Sequence, residues 1–434
     1  MENSLYRGLF GDEEISTHLS AEAEIAAMIR VERALARAQA SAGVIPKDMA
    51  QTIDQGLKHI EVAPVDLIAG TTQSGIPVPG LVAALRAALP PEAAHWVHWG
   101  ATTQDIMDNG LVLRLALMLR SLESRLHKLT HQLADMADAH ATLPMAGRTR
   151  SQIATPITYG LRVAQWMHPL LDLSDRIPAV KEGLKKVQCG GASGANSAIA
   201  PDGPAVMEAL AKELGLAPSQ PWHTNRVILA DLSHWCATLT AALASMAGDI
   251  TLMLRREIGE LRLQGGGGSS TMPNKTNPVQ AEVMMTLGRR VSGLTASANL
   301  AVQHTEERDG PAWMQEWLVL PQILIGTGAA LNHAIDLIAN ISPDSNRMAA
   351  NLALDGGAAQ AETASFALAK HMPRAEAQAL VKKAASAARE HERSLIDAVK
   401  DLAGDVDLEL DMRKDAAIAG SAEIVAQLVD RARA

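Results

Sequence analysis

The sequence predicts an all-α protein, and three observations carry that reading. Aromatic residues make up only 3% of the 434 residues, whereas Ala, Leu and Met abound; sheets favour aromatic and β-branched side chains, and helices favour the others. Apolar residues recur at three- and four-residue steps, as in Ile25, Met28, Val31, Leu35 and Ala38. Five runs of roughly 24–39 residues exceed the ordinary globular helix of about 11–12.

Taken in order, the elements begin with a helix from Ala21, with Ser20 as N-cap and Glu22 and Glu24 in its first turn, ending near Gly43 ahead of Pro46. From Pro64 to Trp99 the prolines and glycines come so often that only short helices joined by turns fit. Residues 1–107 therefore read as an N-terminal helical domain. Thr102 and Asp105 have capping-box spacing, and a long helix follows from Asp108 to about His140. Thr155–Pro156 reads as an N-cap with proline at the first helical position, opening a run to about Val187 kinked at Pro169 and Pro178. Three more runs cover about Asn225–Leu263, Pro278–His304 and Trp317–Asn340. Residues 108–342 form a central bundle of five long helices on this reading. Beyond Pro343, shorter Ala-rich helices broken at Gly356–Gly357, Pro373 and Gly404 make a C-terminal helical domain, 343–434.

The most apolar stretch, Leu232 to Gly248, has no charged residue, yet it is shorter than the ~20 residues a membrane span needs. A core helix of a bundle is the expectation. A net charge of −9 argues against nucleic acid or an anionic membrane as partner. Two cysteines, Cys189 and Cys236, supply neither a disulfide framework nor a four-cysteine zinc site. The first twenty residues carry Glu2, Asp12, Glu13 and Glu14 and lack the order of a signal peptide, so the cytoplasm is the expected compartment. No metal or organic cofactor is implied.

The chemistry concentrates in the loop Gln264-Gly-Gly-Gly-Gly-Ser-Ser-Thr-Met-Pro-Asn-Lys-Thr-Asn277. Four consecutive glycines lower the cost of loop motion, and hydroxyls, amides and an ammonium follow. Lys275–Thr276 mimics the end of a phosphate-binding loop, but Asn274 stands where that motif needs glycine and no strand precedes.

Gly268-Ser-Ser-Thr-Met-Pro-Asn-Lys-Thr-Asn-Pro278 resembles the signature of the fumarase/aspartase superfamily. His98-Trp-Gly-Ala-Thr-Thr-Gln-Asp105 and Gly147-Arg-Thr-Arg-Ser-Gln152 resemble its other two segments, in the right order. Within it, the first of these, with Pro221-Trp-His-Thr-Asn-Arg226 and Glu307-Arg-Asp-Gly-Pro-Ala-Trp-Met-Gln-Glu-Trp317, is most similar to the bacterial 3-carboxy-cis,cis-muconate cycloisomerase family. The resemblance implies a three-domain superfamily fold and a homotetramer whose active sites are shared between subunits. It implies an intramolecular lyase acting on a small polycarboxylate through an aci-carboxylate intermediate, forming 4-carboxymuconolactone in protocatechuate (β-ketoadipate) catabolism. Ser269 maps onto the catalytic base, with Lys275 beside it. The substrate carboxylates fall to Asn277, Ser270, Thr102, Thr103, Thr149, Arg150, Gln152, His98, His223 and Arg226. Asn274 replaces the family's usual histidine.

Adenylosuccinate lyase is the rival within the superfamily, and a non-catalytic helical homologue is the minor alternative. The lyase carries a histidine after the Arg-Thr of the second segment, where this chain has Arg150. Cleaving a C–N bond requires protonation of the leaving amine, so it needs a general acid. A carboxylate leaving group has a conjugate acid of pKa about 4 and needs none; a cation that orients it, Arg150 or Arg148, is more useful.

Overall fold

The computed structural model describes residues 5–268, 272, 275–404 and 414–434. It divides the chain into two compact units. The first comprises Met1–Arg125, Asp175–Ala241 and Leu287–Leu331; the second comprises Leu126–Ser174, Ala242–Thr286 and Asn332–Ala434. This division differs in kind from a sequential one, because the long helices contribute residues to both units.

In the first unit the Ala21–Ser41 helix starts as its sequence dictates, with the Ser20 hydroxyl accepting from the Ala23 N–H at 3.1 Å. Ile25, Met28, Val31, Leu35 and Ala38 are all buried, and the helix packs against Gly203–Leu214. The short helices Pro64–Ser74, Val78–Ala87 and Pro91–Ala94 each hold a proline in the first turn, where its missing N–H leaves nothing unsatisfied. The long helices are Thr103–Ala139, Val227–Met253, Val279–Leu300 and Gly310–Asn340. Within this unit they pack closely. A Cβ on Gly326 would meet Val291 at 3.0 Å, and the Cys236 thiol, pushed up to about 12 by burial, bonds with Thr327.

Val227–Met253 and Gly310–Asn340 are long and apolar enough to cross a membrane on length and composition alone. Each also supplies core residues, among them Leu232, Leu239 and Leu243 on the first and Ile323, Leu324 and Leu331 on the second.

In the second unit, β1 (Pro144–Thr149) and β2 (Gln152–Thr158) form an antiparallel hairpin. Thr155–Pro156 does not open a helix; it lies in β2, and the helix begins at Tyr159. Ile153, Thr155 and Ile157 are β-branched at every second position, and a two-stranded ribbon has room for a proline that donates nothing. The run also breaks, into Tyr159–Ser174 and Ile177–Leu184; Pro169 is tolerated inside the first and Pro178 stands in the first turn of the second.

The third run stops at Met253, and the chain turns through Gly259 (φ 63°) into β3 (Leu261–Leu263). β3 pairs antiparallel with β4 (Ile341–Pro343), so a short strand does precede the glycine loop, against the expectation from sequence, and Asn274 alone excludes the phosphate-binding motif. The C-terminal helices Ala361–Leu368, Arg374–Glu390 and Leu395–Ala403 share a small core of Ala364, Leu368, Val381, Leu395 and Val399.

Gly160 is the second residue of the Tyr159–Ser174 helix, and nothing larger fits there: a Cβ would lie 2.5 Å from the Ala137 carbonyl oxygen and 2.6 Å from Ala141 Cα. Both obstacles are backbone and cannot rotate away. Gly160→Ala is expected to destabilise the fold by about 1–3 kcal/mol, read as a lower urea midpoint with an unchanged m-value. An unchanged midpoint would show that the backbone yields at no cost.

Candidate active site

In the first unit, the start of the Thr103–Ala139 helix is a buried acid row. Asp105 is 4% exposed. Its Oδ1 accepts from Gly190 N (2.9 Å) and lies 2.9 Å from His223 Nε2, and its Oδ2 accepts from Gly191 N and Thr102 N (both 3.0 Å). The bond from Thr102 N is one arm of the capping box expected from the spacing. Because an ionised carboxylate only accepts, Nε2 of His223 is the protonated ring nitrogen. Gln104 holds the same residue from the backbone side, donating to the His223 carbonyl at 2.9 Å.

One turn further, Asp108 accepts from Arg226 Nη1 and Nη2 at 2.8 and 2.9 Å and from Gln188 Nε2 at 3.0 Å. Arg226 also donates from Nε and Nη2 to Glu316, both at 2.7 Å, and its guanidinium lies 4.7 Å from the centre of the Trp222 ring. Burial alone would lower the Arg226 pKa; Asp108 and Glu316 outweigh it and hold the group firmly charged. Burial raises the Glu316 carboxyl, and Arg226 opposes that rise.

His98 sits before this cluster with φ 61°, a left-handed conformation uncommon outside glycine. Its Nδ1 is 2.6 Å from Oε1 of Glu32, whose side chain is 1% exposed. Burial lowers the His98 pKa, but the charge and hydrogen bond of Glu32 prevail and raise it.

In the second unit, the β1–β2 hairpin carries the second motif segment at its tip. Thr149 pairs with Gln152 across a two-residue turn, and Arg150 (φ 49°) and Ser151 (φ 66°) are both left-handed. Two positive φ values suit the right-handed twist of a hairpin but are unusual without glycine or asparagine. Thr149, Arg150 and Gln152 are exposed. Two residues back, Arg148 donates from both terminal nitrogens to Glu260, at 2.8 and 2.7 Å.

The 264–277 loop has a pinned base: Asn277 N donates to Gly267 O at 2.8 Å and Gly267 N to Asn277 O at 3.1 Å. Lys275 is exposed and Asn277 half-buried. Ser269, Ser270 and Asn274 lie outside the described residues. The sequence-derived site thus falls into two sets, His98, Thr102, Thr103, His223 and Arg226 in the first unit and Thr149, Arg150, Gln152, Lys275 and Asn277 in the second. Asp105 joins Thr102 to His223 directly.

The geometry corrects the assignment of Arg226 to substrate binding. Its side chain is 1% exposed and four of its donor contacts go to Asp108 and Glu316, so it holds helices together rather than meeting a ligand. Arg308 does not pair with its neighbour Glu307; it donates to Gln104 Oε1 at 3.0 Å and to Ala192 O at 3.1 Å. The sequence reading passed over Asp105 as a helix-start residue and missed Asp108, Asn109, Glu316 and Glu260. One signal was available: Asp105, Asp108 and Asn109, at i, i+3 and i+4, put three polar groups on one face of an apolar helix. Among the described residues, no group of three or more His, Cys, Asp and Glu side chains is placed to hold a metal.

The family described as Lyase matches residues 3–293. The 3-carboxy-cis,cis-muconate cycloisomerase of Pseudomonas aeruginosa is 36% identical over 91% of this chain and 87% of its own length. The nitrosuccinate lyase of Streptomyces davaonensis is 35% identical over 88% of this chain and 83% of its own. The crystal structure of the 3-carboxy-cis,cis-muconate lactonizing enzyme from Pseudomonas putida matches with a TM-score of 0.90 and 32% identity over 99% of each chain.

Two outcomes are expected from this geometry. Asp108→Ala leaves Glu316 as the one carboxylate on Arg226 and strips buried Arg226 and Gln188 donors of their acceptor, which should cost about 1–3 kcal/mol; a urea midpoint equal to wild type would mean that Glu316 alone suffices. The raised pKa of His98 gives a stabilisation that is fully present below its ordinary value and lost as pH rises through the raised one. The difference in melting temperature between wild type and His98→Gln should therefore be larger at pH 6 than at pH 9. A difference independent of pH would exclude a charged His98–Glu32 pair.

Proposed function

The chain belongs to the lyase family that matches residues 3–293, and from that premise we propose that it is a cycloisomerase converting 3-carboxy-cis,cis-muconate to 4-carboxymuconolactone in protocatechuate breakdown. One carboxylate of the substrate adds across the ring-forming double bond and drives charge into a neighbouring carboxylate. Ser269 delivers a proton to the carbanion carbon, and in reverse removes it. An unassisted serine is too weak a base, so Lys275 and the backbone N–H groups of the glycine loop favour its alkoxide. The doubly charged intermediate calls for preorganised donors, supplied by Asn277, Ser270, Thr149, Gln152 and the Thr102–Thr103 helix start, with His98 and His223 as further candidates.

The observation that carries this reading is Arg150. It takes the position where adenylosuccinate lyase carries a histidine, on a hairpin tip, exposed and without an ion pair among the described residues. Arg148 is the weaker candidate because Glu260 already occupies its fork. An arginine cannot give up its proton near neutral pH, so the tip orients an anion and does not act as an acid.

A second reading, elimination from a substituted succinate, is favoured by the similarity to the nitrosuccinate lyase. It includes the C–N lyase alternative of the adenylosuccinate type.

The working form is a homotetramer with sites shared between subunits. In support, only 44% of the most apolar window of Val227–Met253 is buried, and Leu252, Leu300 and Leu318 are exposed on long helices. Apolar surface of this kind suits burial between copies. The compartment is the cytoplasm, in keeping with two buried free thiols.

The muconate is a conjugated diene, and lactonization should bleach its ultraviolet absorbance on adding pure protein. Ser269→Ala should slow that bleaching by about 10²–10⁴-fold. Unchanged absorbance with wild type would sink the cycloisomerase reading, and elimination from a succinate panel would establish the second. A fully active Ser269→Ala would remove the serine from its role whatever the substrate.

A further inference from the structure

Glu260 stands immediately before β3, the strand that leads into the 264–277 loop, and its side chain is 0% exposed. No step of the proposed reaction uses it. Its carboxylate takes the bidentate fork of Arg148, and its Oε1 also accepts from Asn351 Nδ2 at 3.0 Å. Its backbone is fixed as well, N donating to Met253 O at 3.0 Å and O accepting from Asp344 N at 2.9 Å. The turn behind it is pinned from the Ser345–Leu352 helix, where Arg347 Nε donates to Ile258 O at 2.9 Å and Asn351 Nδ2 to the same oxygen at 2.8 Å.

The partner, Arg148, is aimed at Glu260 by a bulge. The β1–β2 register shifts between Ala146 and Arg148, and Gly147 sits where a Cβ would be 2.6 Å from the Thr155 carbonyl oxygen. A bulge re-aims the side chain that follows it. Arg148 is two residues from Arg150, while Glu260 is four residues from the start of the loop that holds Ser269 and Lys275.

Stability alone is a poor reason to enclose Glu260 fully behind a half-buried arginine. Two well-packed apolar side chains would fill the same space without desolvating a carboxylate and a guanidinium. What they would lack is direction, because a bidentate fork fixes both the distance and the angle between the groups that carry it.

We infer that Glu260 is a positioning residue for the reaction: through Arg148 it fixes the hairpin that presents Arg150 against the strand that feeds the 264–277 loop. Only the kinetic arm of the test rests on the cycloisomerase reading.

The variants are Glu260→Gln, which keeps the shape and removes the charge, and Arg148→Lys, which keeps the charge and removes the fork. Each is assayed by muconate bleaching and by hydrogen–deuterium exchange. A displacement of order 1 Å is enough to lower a rate by about a hundredfold. Glu260→Gln should therefore lower kcat by about 10–100-fold and leave KM within about threefold. Exchange should quicken over 144–158 and 261–264 and stay at the wild-type level over 21–41. Arg148→Lys should act in the same direction, and the double variant should be no worse than the worse single, since both break one link.

A kcat within twofold of wild type in both variants overturns the inference. So does protection lost uniformly along the chain, which is what a merely structural pair would give. If neither variant yields folded protein, the pair is a folding requirement and the positioning role falls. If wild type fails to bleach muconate, the reaction was misread, and the exchange pattern alone decides for or against Glu260.

Discussion

A carboxylate removed from water must recover its hydration from the protein, and Asp105 does so with donors drawn from three separate stretches of chain. Thr102 N comes from the helix start, Gly190 and Gly191 N from the segment after Val187, and the ring from His223. Each oxygen takes two contacts, so none of these stretches can shift without leaving a buried charge short of a partner. The helix start, the glycine pair and the histidine therefore behave as one object. Asp108 extends it by a turn, tying in Gln188 and, through Arg226, Glu316 on Gly310–Asn340. Remove the first acid and the geometry of the first-unit set has no origin.

The same logic sorts the cations. Arg226 and Arg148 are both aligned on buried carboxylates, and each has little left to offer a ligand. Arg150 and Lys275 are exposed. In a chain of net charge −9, a polyanion is attracted only where positive charge is unspent, so the separation of carboxylate-bound from exposed cations matters more than their number. On the proposed function, the carboxylate-bound forks set position and the exposed groups meet charge that develops during reaction.

The helices were legible because their signals are local. Ser20, the Thr102–Asp105 spacing and the prolines of residues 64–91 act on their own turns, and the structure honours each. The β1–β2 hairpin was not legible as a strand pair, since Thr155–Pro156 carries the same letters as a helix start. What decides it is pairing with Met145 and Ala146, and that is tertiary. Likewise the motif segments could be read from the residues themselves, but apart from Thr102 the hydrogen-bond partners of the Asp105, Arg226 and Glu260 side chains lie 85 to 118 positions away. An isolated Glu between Gly259 and Leu261 looks like any surface acid. Only the fold shows that it is fully enclosed.

An arginine at position 150 has a consequence for any chemistry at the hairpin tip. A guanidinium stays protonated across the working range of an enzyme, so at that point it offers charge and direction but no proton. A leaving group that departs as a stable anion needs no more than this; an amine needs an acid from elsewhere. The histidine most tightly framed in the first unit, His223, has its Nε2 proton engaged by a buried carboxylate. Such a proton is held by the very charge that orients the ring, and giving it up would leave Asp105 short of a donor. The residues best placed by the fold thus favour a reaction in which an anion is steered and a carbon is protonated, rather than one in which a departing nitrogen must be.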